Sequence, residues 1–387
     1  MIPLKYNVRN LRVRLVSTLM TVFGTALVVW SSCILFGLVE GLQHSLKVSG
    51  EPLDLIVLRK GSTNETNGGY EARKADDVIN LPGIARDEKG LVLAAKEMVN
   101  IPIAERNDGT RTNIIVRGVS PASPQLRPQF KIVSGRYLER GKGEAVVSQS
   151  LSKRFKGAGI GGVLKVGEKE SYRVIGLFTA GGSAAESEVW VDLTDLERAM
   201  GREGYVSSVQ VRAATPQDFD ALRKTIDNDT QFRLSAQPET TYFLEQSQSS
   251  LFLTGAGTLI AVLLTIGAMF ASANTMYAAV SARTREIGTL RALGFPRRDI
   301  LLSFLTESIL LCTAGGVLGL LATLPLSALT YGTSNFNNFA EMTVAFRFGP
   351  LVMIVACLMT AAMGIFGGLM PALRAVRLDI VRALREV

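Results

Sequence analysis

Histidine occurs once in the 387 residues, at His44, and cysteine three times, at Cys33, Cys312 and Cys357. A His-based triad or a multi-histidine metal site has nothing else to build on, and Cys/His zinc spacing is absent. No G-x-x-x-x-G-K-[ST] occurs, and Gly157–Gly162 (GAGIGG) lacks the Lys-Ser/Thr that grips phosphate, so the chain carries no P-loop. The paired acids Asp76/Asp77 and Glu186/Glu188 read as helix-start and strand-flank charges. Nothing demands an enzyme. All three cysteines fall in apolar runs, and residues 40–250 contain none, so that segment needs its own core without disulfides.

Charge is nearly missing from four long stretches: Leu15–Val39, Leu251–Val280, Ile300–Leu329 and Pro350–Met370. Runs of this length can cross the ~30 Å hydrocarbon core as helices. A purely soluble protein is excluded, as is a one-span anchor. The first run is too long for a signal-peptide core and no clean cleavage site follows, so it reads as an uncleaved span.

The net charge of +8 then orients the chain. Residues 40–250 hold 28 Lys and Arg against 28 Asp and Glu, and are neutral. The excess lies at Lys5, Arg9, Arg12 and Arg14, at Arg283, Arg285, Arg291, Arg297 and Arg298, and at Arg374, Arg377, Arg382 and Arg385. By the positive-inside rule both termini and the 281–299 loop are cytoplasmic, and 40–250 and 331–349 lie outside. The basic balance reports topology, not nucleic-acid binding, since no aromatic-interleaved basic stripe accompanies it.

These observations give an α-helical membrane protein of four transmembrane helices, with a large mixed α/β extracytoplasmic domain between the first and second. The boundaries are an amphipathic interfacial helix at 1–14, spans at 15–39, 251–280, 300–329 and 350–371, the outer domain at 40–250, the cytoplasmic segment 281–299, a short outer loop at 331–349 and a tail at 372–387. Leu4, Val8, Leu11 and Leu15 form one stripe of the first helix beside Lys5, Arg9 and Arg12, suited to lipid headgroups; a merely basic flank is the alternative. Nothing stops the first span's helix before Gly50 and Pro52, and Thr240–Ser250 lacks Gly and Pro, so both spans can project outward as a stalk. The 30-residue second run is about 45 Å of helix, and tilt is the other way to absorb the excess. Within the outer domain, Asn107-Asp108-Gly109 and Gly167–Glu170 signal hairpins, Asp192 and Thr215-Pro216 helix starts. Strand–helix alternation resumes after Gly135, which suggests two subdomains.

The 281–299 segment is the one candidate site. Ser281–Leu293 reads S-A-R-T-R-E-I-G-T-L-R-A-L, a charged helix continuing out of the second span; Gly294 suits its C-cap and Pro296 starts the next helix. Ile287, Leu290 and Leu293 offer an apolar face, while Arg283, Arg285, Glu286 and Arg291 stay polar. Such a knuckle can carry force from a cytosolic partner into two spans, or simply fix topology. Glu307, early in the third span, is expected to pair with an arginine of this segment; a transport-path role is the alternative. Gly315 with Gly319, and Gly364 with Gly368, permit close helix approach, either inside one four-helix unit or across a dimer seam. Asn274, alone in the second span, is expected to hydrogen-bond between helices.

R-T-R-E-I-G-x-L-R-A-L-G at Arg283–Gly294, with Ile300 six residues on, closely resembles the coupling segment of MacB/FtsX-like ABC transporter permeases. Phe304–Ser308 (FLTES), Gly315-Gly316 with Gly319, and Gly367–Ala372 followed by Arg374, Ala375, Leu378-Asp379 and Ala383–Arg385 resemble the same family. Ile380 stands where the family usually has proline. The resemblance implies a permease subunit, of mechanotransmission type, in a bacterial inner membrane. It implies ATPase coupling through Arg283, Arg285, Glu286, Ile287, Gly288, Leu290, Arg291, Leu293 and Gly294. It also implies a separate ABC ATPase that binds ATP with Mg, no cofactor bound directly, a second permease subunit as homo- or heterodimer, and a periplasmic adaptor. Export or extraction of an envelope substrate is the leading expectation. The rival is a division-type or envelope-stress subunit controlling a cell-wall hydrolase, which generally carries a smaller outer domain.

Overall fold

The computed structural model describes residues 15–168, 170–246, 248–328, 330–334 and 340–378; the helix expected over 1–14 and the tail beyond Leu378 lie outside them. Ten α-helices follow in chain order among the described residues: α1 (Leu15–Ser49), α2 (Ala72–Ile79), α3 (Gln149–Ser152), α4 (Leu193–Ala199), α5 (Pro216–Asn228), α6 (Glu239–Gln246), α7 (Gln248–Ser281), α8 (Thr284–Ala292), α9 (Arg297–Thr323) and α10 (Pro350–Val376). Four of them, α1, α7, α9 and α10, are long and apolar enough to cross a membrane. The chain divides into two compact units: the four long helices, with α1 counted as far as Glu40, and an inserted unit, Gly41–Leu251 with Thr330–Ala345.

Helix ends depart from the expected spans for local reasons. α1 runs ten residues past Val39, to Ser49, as the absence of a stop before Gly50 implies. α9 ends at Thr323, because Pro325 has no N–H to continue the ladder; the chain tightens into a 3₁₀ turn at Leu324–Ala328. α10 runs through Pro371 to Val376 instead of ending there. Pro371 is buried among Gly367, Gly368 and Ala372, and a proline inside an apolar helix is tolerated where neighbours re-satisfy the freed backbone.

The inserted unit is built on one ten-stranded mixed sheet. Its strands are β1 (Asp54–Arg59), β2 (Ala94–Asn100), β3 (Ile115–Val119), β4 (Lys131–Gly135), β5 (Glu144–Ser148), β6 (Val163–Val166), β7 (Glu170–Thr179), β8 (Glu188–Asp192), β9 (Ser208–Arg212) and β10 (Leu234–Pro238). They lie in the order β10-β1-β9-β2-β3-β8-β5-β7-β4, with β6 also on β7. The pairs β3/β8 and β5/β7 are parallel and the others antiparallel. The expected turn at Asn107–Gly109 closes a small separate ribbon, Ile103–Glu105 with Arg111–Asn113. Asp192 and Thr215 cap α4 and α5 as their sequence implies, whereas the helix after Ser148 is one turn.

The two largest apolar clusters on the sheet separate its two ends. One gathers Leu55, Val57, Val209, Val211, Leu222 and Ile226, and the other Val116, Val147, Leu164, Val174, Val189 and Val191. β2 contributes Ala94 to the first and Met98 to the second. The sequence suggests two subdomains without placing their border; here two lobes share one sheet. The halves meet along β2, inside a continuous sheet; one draws on β1, β9 and β10 from the two ends of the unit, and the other on the strands between them. The expected short loop at 331–349 is likewise not open: Thr330–Ser334 pairs antiparallel with Glu341–Ala345 as a hairpin of the inserted unit.

Candidate functional site

The segment after α7 breaks at residues 282 and 283, where Arg283 takes φ −115°, ψ 14° and becomes the N-cap of α8. The expected uninterrupted helix is thus two helices. The break has a consequence for charge. Arg283, expected on the polar face, is turned inward and buried, with Nη1 donating to Glu307 Oε2 at 3.0 Å and Nη2 to Oε1 at 3.3 Å. Its guanidinium also lies 6.0 Å from the Phe304 ring centroid. A carboxylate and a guanidinium removed from water together must neutralise each other, which fixes the start of α8 against α9.

Ile287 and Gly288 are buried on the same side, and Ile287 joins Met276, Val280, Ile300, Phe304, Ala372 and Ala375 in one apolar cluster. Leu290 and Arg291 are half-buried, and Arg285, Glu286, Leu293 and Gly294 are exposed. Leu293 departs from the expected apolar face: 72% of it is open to solvent. The C-terminus of α8 is closed by a Schellman pair, Phe295 N–H to Leu290 O and Gly294 N–H to Arg291 O, both 3.1 Å. Gly294 has φ +91°, the left-handed conformation that its position requires. Pro296 is the N-cap of α9 rather than its first helical residue. The knuckle is therefore rigid at both ends and presents exposed charge with one exposed leucine.

The packing glycines act inside the four-helix unit. A Cβ at Gly315 would stand 1.8 Å from Thr25 Oγ1, and one at Gly319 would stand 2.6 Å from Ala26 O, both on α1. Gly364 and Gly368 of α10 face Ile309 and Ser308 of α9 in the same way, at 3.0 and 2.5 Å. Asn274 is the exception among the expected residues. It is exposed and makes no side-chain hydrogen bond among the described residues, because it sits two positions from buried Ser272 and from buried Met276, on the opposite side of the helix.

Sequence reasoning missed the main polar cluster of the inserted unit. Arg117 on β3 is buried and bonds to Glu188 on β8 (2.9 and 2.8 Å), Glu97 on β2 (2.7 Å) and Glu65 (2.8 and 3.0 Å). Arg127 adds two bonds to Glu97, Trp190 Nε1 donates to Glu188, and Ser208 Oγ donates to Glu65. Burial pushes the Glu97 carboxyl up, but Arg127 and Arg117 outweigh it and hold its pKa at about 2. Glu188 is thus a buried ion-pair member, not a strand-flank charge, and Glu186 accepts from Thr179 Oγ1 and Ala180 N–H. Asp76 lies inside α2, paired with Lys96 at 2.8 Å. The signal available was Arg117, Glu97 and Glu188 on segments otherwise reading as strands, whereas Glu65 lies in a polar loop, and their convergence needs the strand order. No group of His, Cys, Asp and Glu that could hold a metal occurs among the described residues.

The MacB-like periplasmic core domain matches residues 18–229, and the FtsX-like permease C-terminal domain matches 258–380. The chain belongs to the MacB/FtsX-like permease family. It is a multi-pass membrane protein of that family, with the inserted unit in the place of the periplasmic core domain. A relative in Bdellovibrio bacteriovorus, named macrolide export ATP-binding/permease protein MacB, is 27% identical over 95% of this chain and 58% of its own length. A relative of the same name in Burkholderia lata is 31% identical over 62% of this chain and 36% of its own. The chain spans at most a little over half of these curated relatives. Among solved structures, the periplasmic region of MacB from Actinobacillus actinomycetemcomitans aligns over 52% of this chain and 94% of its own, at 10% identity and a TM-score of 0.39.

Proposed function

We propose that this permease converts ATP-driven motion of an ABC ATPase subunit into movement of its inserted domain, for export or extraction of an envelope substrate. The observation that carries this reading is the knuckle: Arg283 and Ile287 lock α8 between α7, α9 and α10, while Arg285, Glu286 and Leu293 remain exposed for a partner. A rigid element held by three long helices transmits displacement, where a flexible loop would absorb it. The family and the relatives' names, which join ATP binding with export, support an ATPase partner that binds ATP with Mg. In this reading the knuckle faces the cytoplasm with both termini, by the distribution of arginines, and the inserted unit is outside. Two permease subunits flank the ATPases, and a periplasmic adaptor and membrane lipids complete the partners.

The test uses the full chain purified with its ATPase. Arg285→Ala and Glu286→Ala change exposed side chains, so folding should survive while assembly, or transport per ATP hydrolysed, falls. Normal assembly and normal coupling in both, and in Gly294→Val, would remove the knuckle from the mechanism. Turnover of ATP by the purified chain alone would contradict the need for a partner.

A further inference from the structure

α9 enters the knuckle's ion pair through Glu307, and the chain leaving its other end forms the Thr330–Ala345 hairpin before turning into α10. The hairpin belongs to the inserted unit and is fastened there by a second arginine–glutamate cluster. Glu341, 1% exposed, accepts from Arg106 Nε at 2.9 Å and from Arg106 Nη2, and its other oxygen accepts from Arg154 Nη1. Arg154 Nη2 donates to Thr343 Oγ1, and the Thr343 N–H donates to the buried Ser187 Oγ at 2.7 Å. Ala340 bridges Asn113 in parallel.

The two arginines are brought together by backbone, not by chance side-chain reach. Arg106 closes the small ribbon and forms an antiparallel bridge with Phe155, next to Arg154. The Asn107 N–H donates to Arg154 O, and the Lys156 N–H donates to Glu105 O. Across the hairpin, Gly332 faces Thr343, and a Cβ there would stand 2.2 Å from both Arg154 Nη1 and Glu341 Oε1. A glycine at that place leaves the room that the ion pair fills. Exposed ion pairs hold little, but a buried carboxylate clamped by two guanidiniums leaves an uncompensated charge when either side is removed.

We propose that the hairpin is a second mechanical link into the inserted domain, with Glu341 as the positioning residue that clamps it to Arg106 and Arg154. Displacement of α9 and α10 then reaches the ribbon Ile103–Asn113 through the short turn Leu324–Ala328 and the stretch 346–349, in addition to any path through α1 and α7. The link rests on the reading that ATP drives the helices, and its test separates the two.

Hydrogen exchange on the full chain in lipid nanodiscs, with its co-purified ATPase, is compared without nucleotide and with ATP plus vanadate. In the wild type, amides of Ile103–Asn113 and of the hairpin should change together on nucleotide. Glu341→Ala should speed exchange of the Thr343 amide by at least about tenfold, the scale expected when charge-assisted hydrogen bonds are lost. It should also abolish the nucleotide-dependent change in Ile103–Asn113 while ATP hydrolysis continues. A disulfide between Asn113→Cys and Ala340→Cys, in a background with Cys33, Cys312 and Cys357 replaced by alanine, should restore that change, and reductant should remove it again. If exchange rises across the whole sheet in Glu341→Ala, Glu341→Gln, which keeps the volume and drops the charge, is read instead. A nucleotide-dependent change that persists in the Glu341 variant, or fails to return with the disulfide, overturns the link. A wild type in which no inserted-domain amide responds to nucleotide overturns the proposed function, and the link with it.

Discussion

The two units of this permease use glycine and buried charge in opposite ways. In the inserted unit, fourteen glycines have positive φ, most of them at turns; among the described residues only Gly294 does so in the helical unit. In the helical unit, Gly315, Gly319, Gly364 and Gly368 sit where helices touch. The inserted unit buries charge as a network spread over three adjacent strands and a loop around Arg117, whereas the helical unit buries the pair Arg283–Glu307 where two helices meet. The difference follows from what each environment supplies. A sheet domain in water can hide many polar groups behind its own strands, while apolar helices gain association mainly from close contact and a few strong polar links. The sheet network holds two lobes together, and the helical pair fixes the start of α8 against α9.

The contrast breaks first at Arg117. Arg117→Met leaves Glu65, Glu97 and Glu188 buried around an apolar side chain, and the inserted unit should lose about 3–5 kcal/mol. Denaturant unfolding followed by Trp190 fluorescence measures this, and a loss under about 1 kcal/mol would make the network dispensable.

Glu239 gives a pH test of the same unit. It is buried at the start of α6, accepting from the Glu51 N–H at 3.0 Å and Gln210 Nε2 at 3.2 Å, and burial raises its carboxyl from an ordinary 4.5 to about 8. The folded state therefore holds this proton more tightly than the unfolded chain. Its contribution is complete below about pH 4.5 and is lost as pH rises through about 8, on the order of a few kcal/mol. Glu97 acts oppositely: its contribution stands above pH 4.5 and is lost as pH falls toward about 2. Unfolding from pH 5 to 9 should show the first loss, and Glu239→Gln should flatten it. An unchanged slope in Glu239→Gln would place the titration elsewhere.

In the helical unit, Gly315→Leu should destabilise by about 1–3 kcal/mol through overpacking against Thr25. Gly24→Ala and Gly267→Ala meet nothing within 4 Å and should be neutral within about 0.5 kcal/mol. Thermal unfolding in detergent distinguishes them, and equal effects at Gly24 and Gly315 would undo the claim that contact, not composition, places these glycines. A modest effect is expected at the knuckle. A double-mutant cycle of Arg283→Met and Glu307→Met should give a coupling of about 0.5–2 kcal/mol, since polar links between membrane helices are individually modest. Zero coupling would mean that the pair orients α8 without stabilising it.

How far the chain could be read in one dimension follows from the range of each signal. The four apolar helices, the Asn107–Gly109 turn, the caps at Asp192 and Thr215 and the left-handed Gly294 that closes α8 depend on neighbours a few residues away, and each is present, though the ends of the long helices shift. Asn274 and Leu293 went astray because periodicity names a face without saying what covers it. Arg283 is misplaced by a two-residue break in the helix, which turns the side chain from the polar face to the core.

By itself the sequence determined a four-helix permease with a domain inserted after the first helix, because long uncharged runs and the knuckle's motif are local and contiguous. Only the tertiary structure decided that Arg117 joins three glutamates, that two lobes share β2, and that the Glu341 hairpin closes on Arg106 and Arg154. Those partners are separated by 20 to 235 residues in the chain. They meet through strand order and register, and no local pattern encodes either.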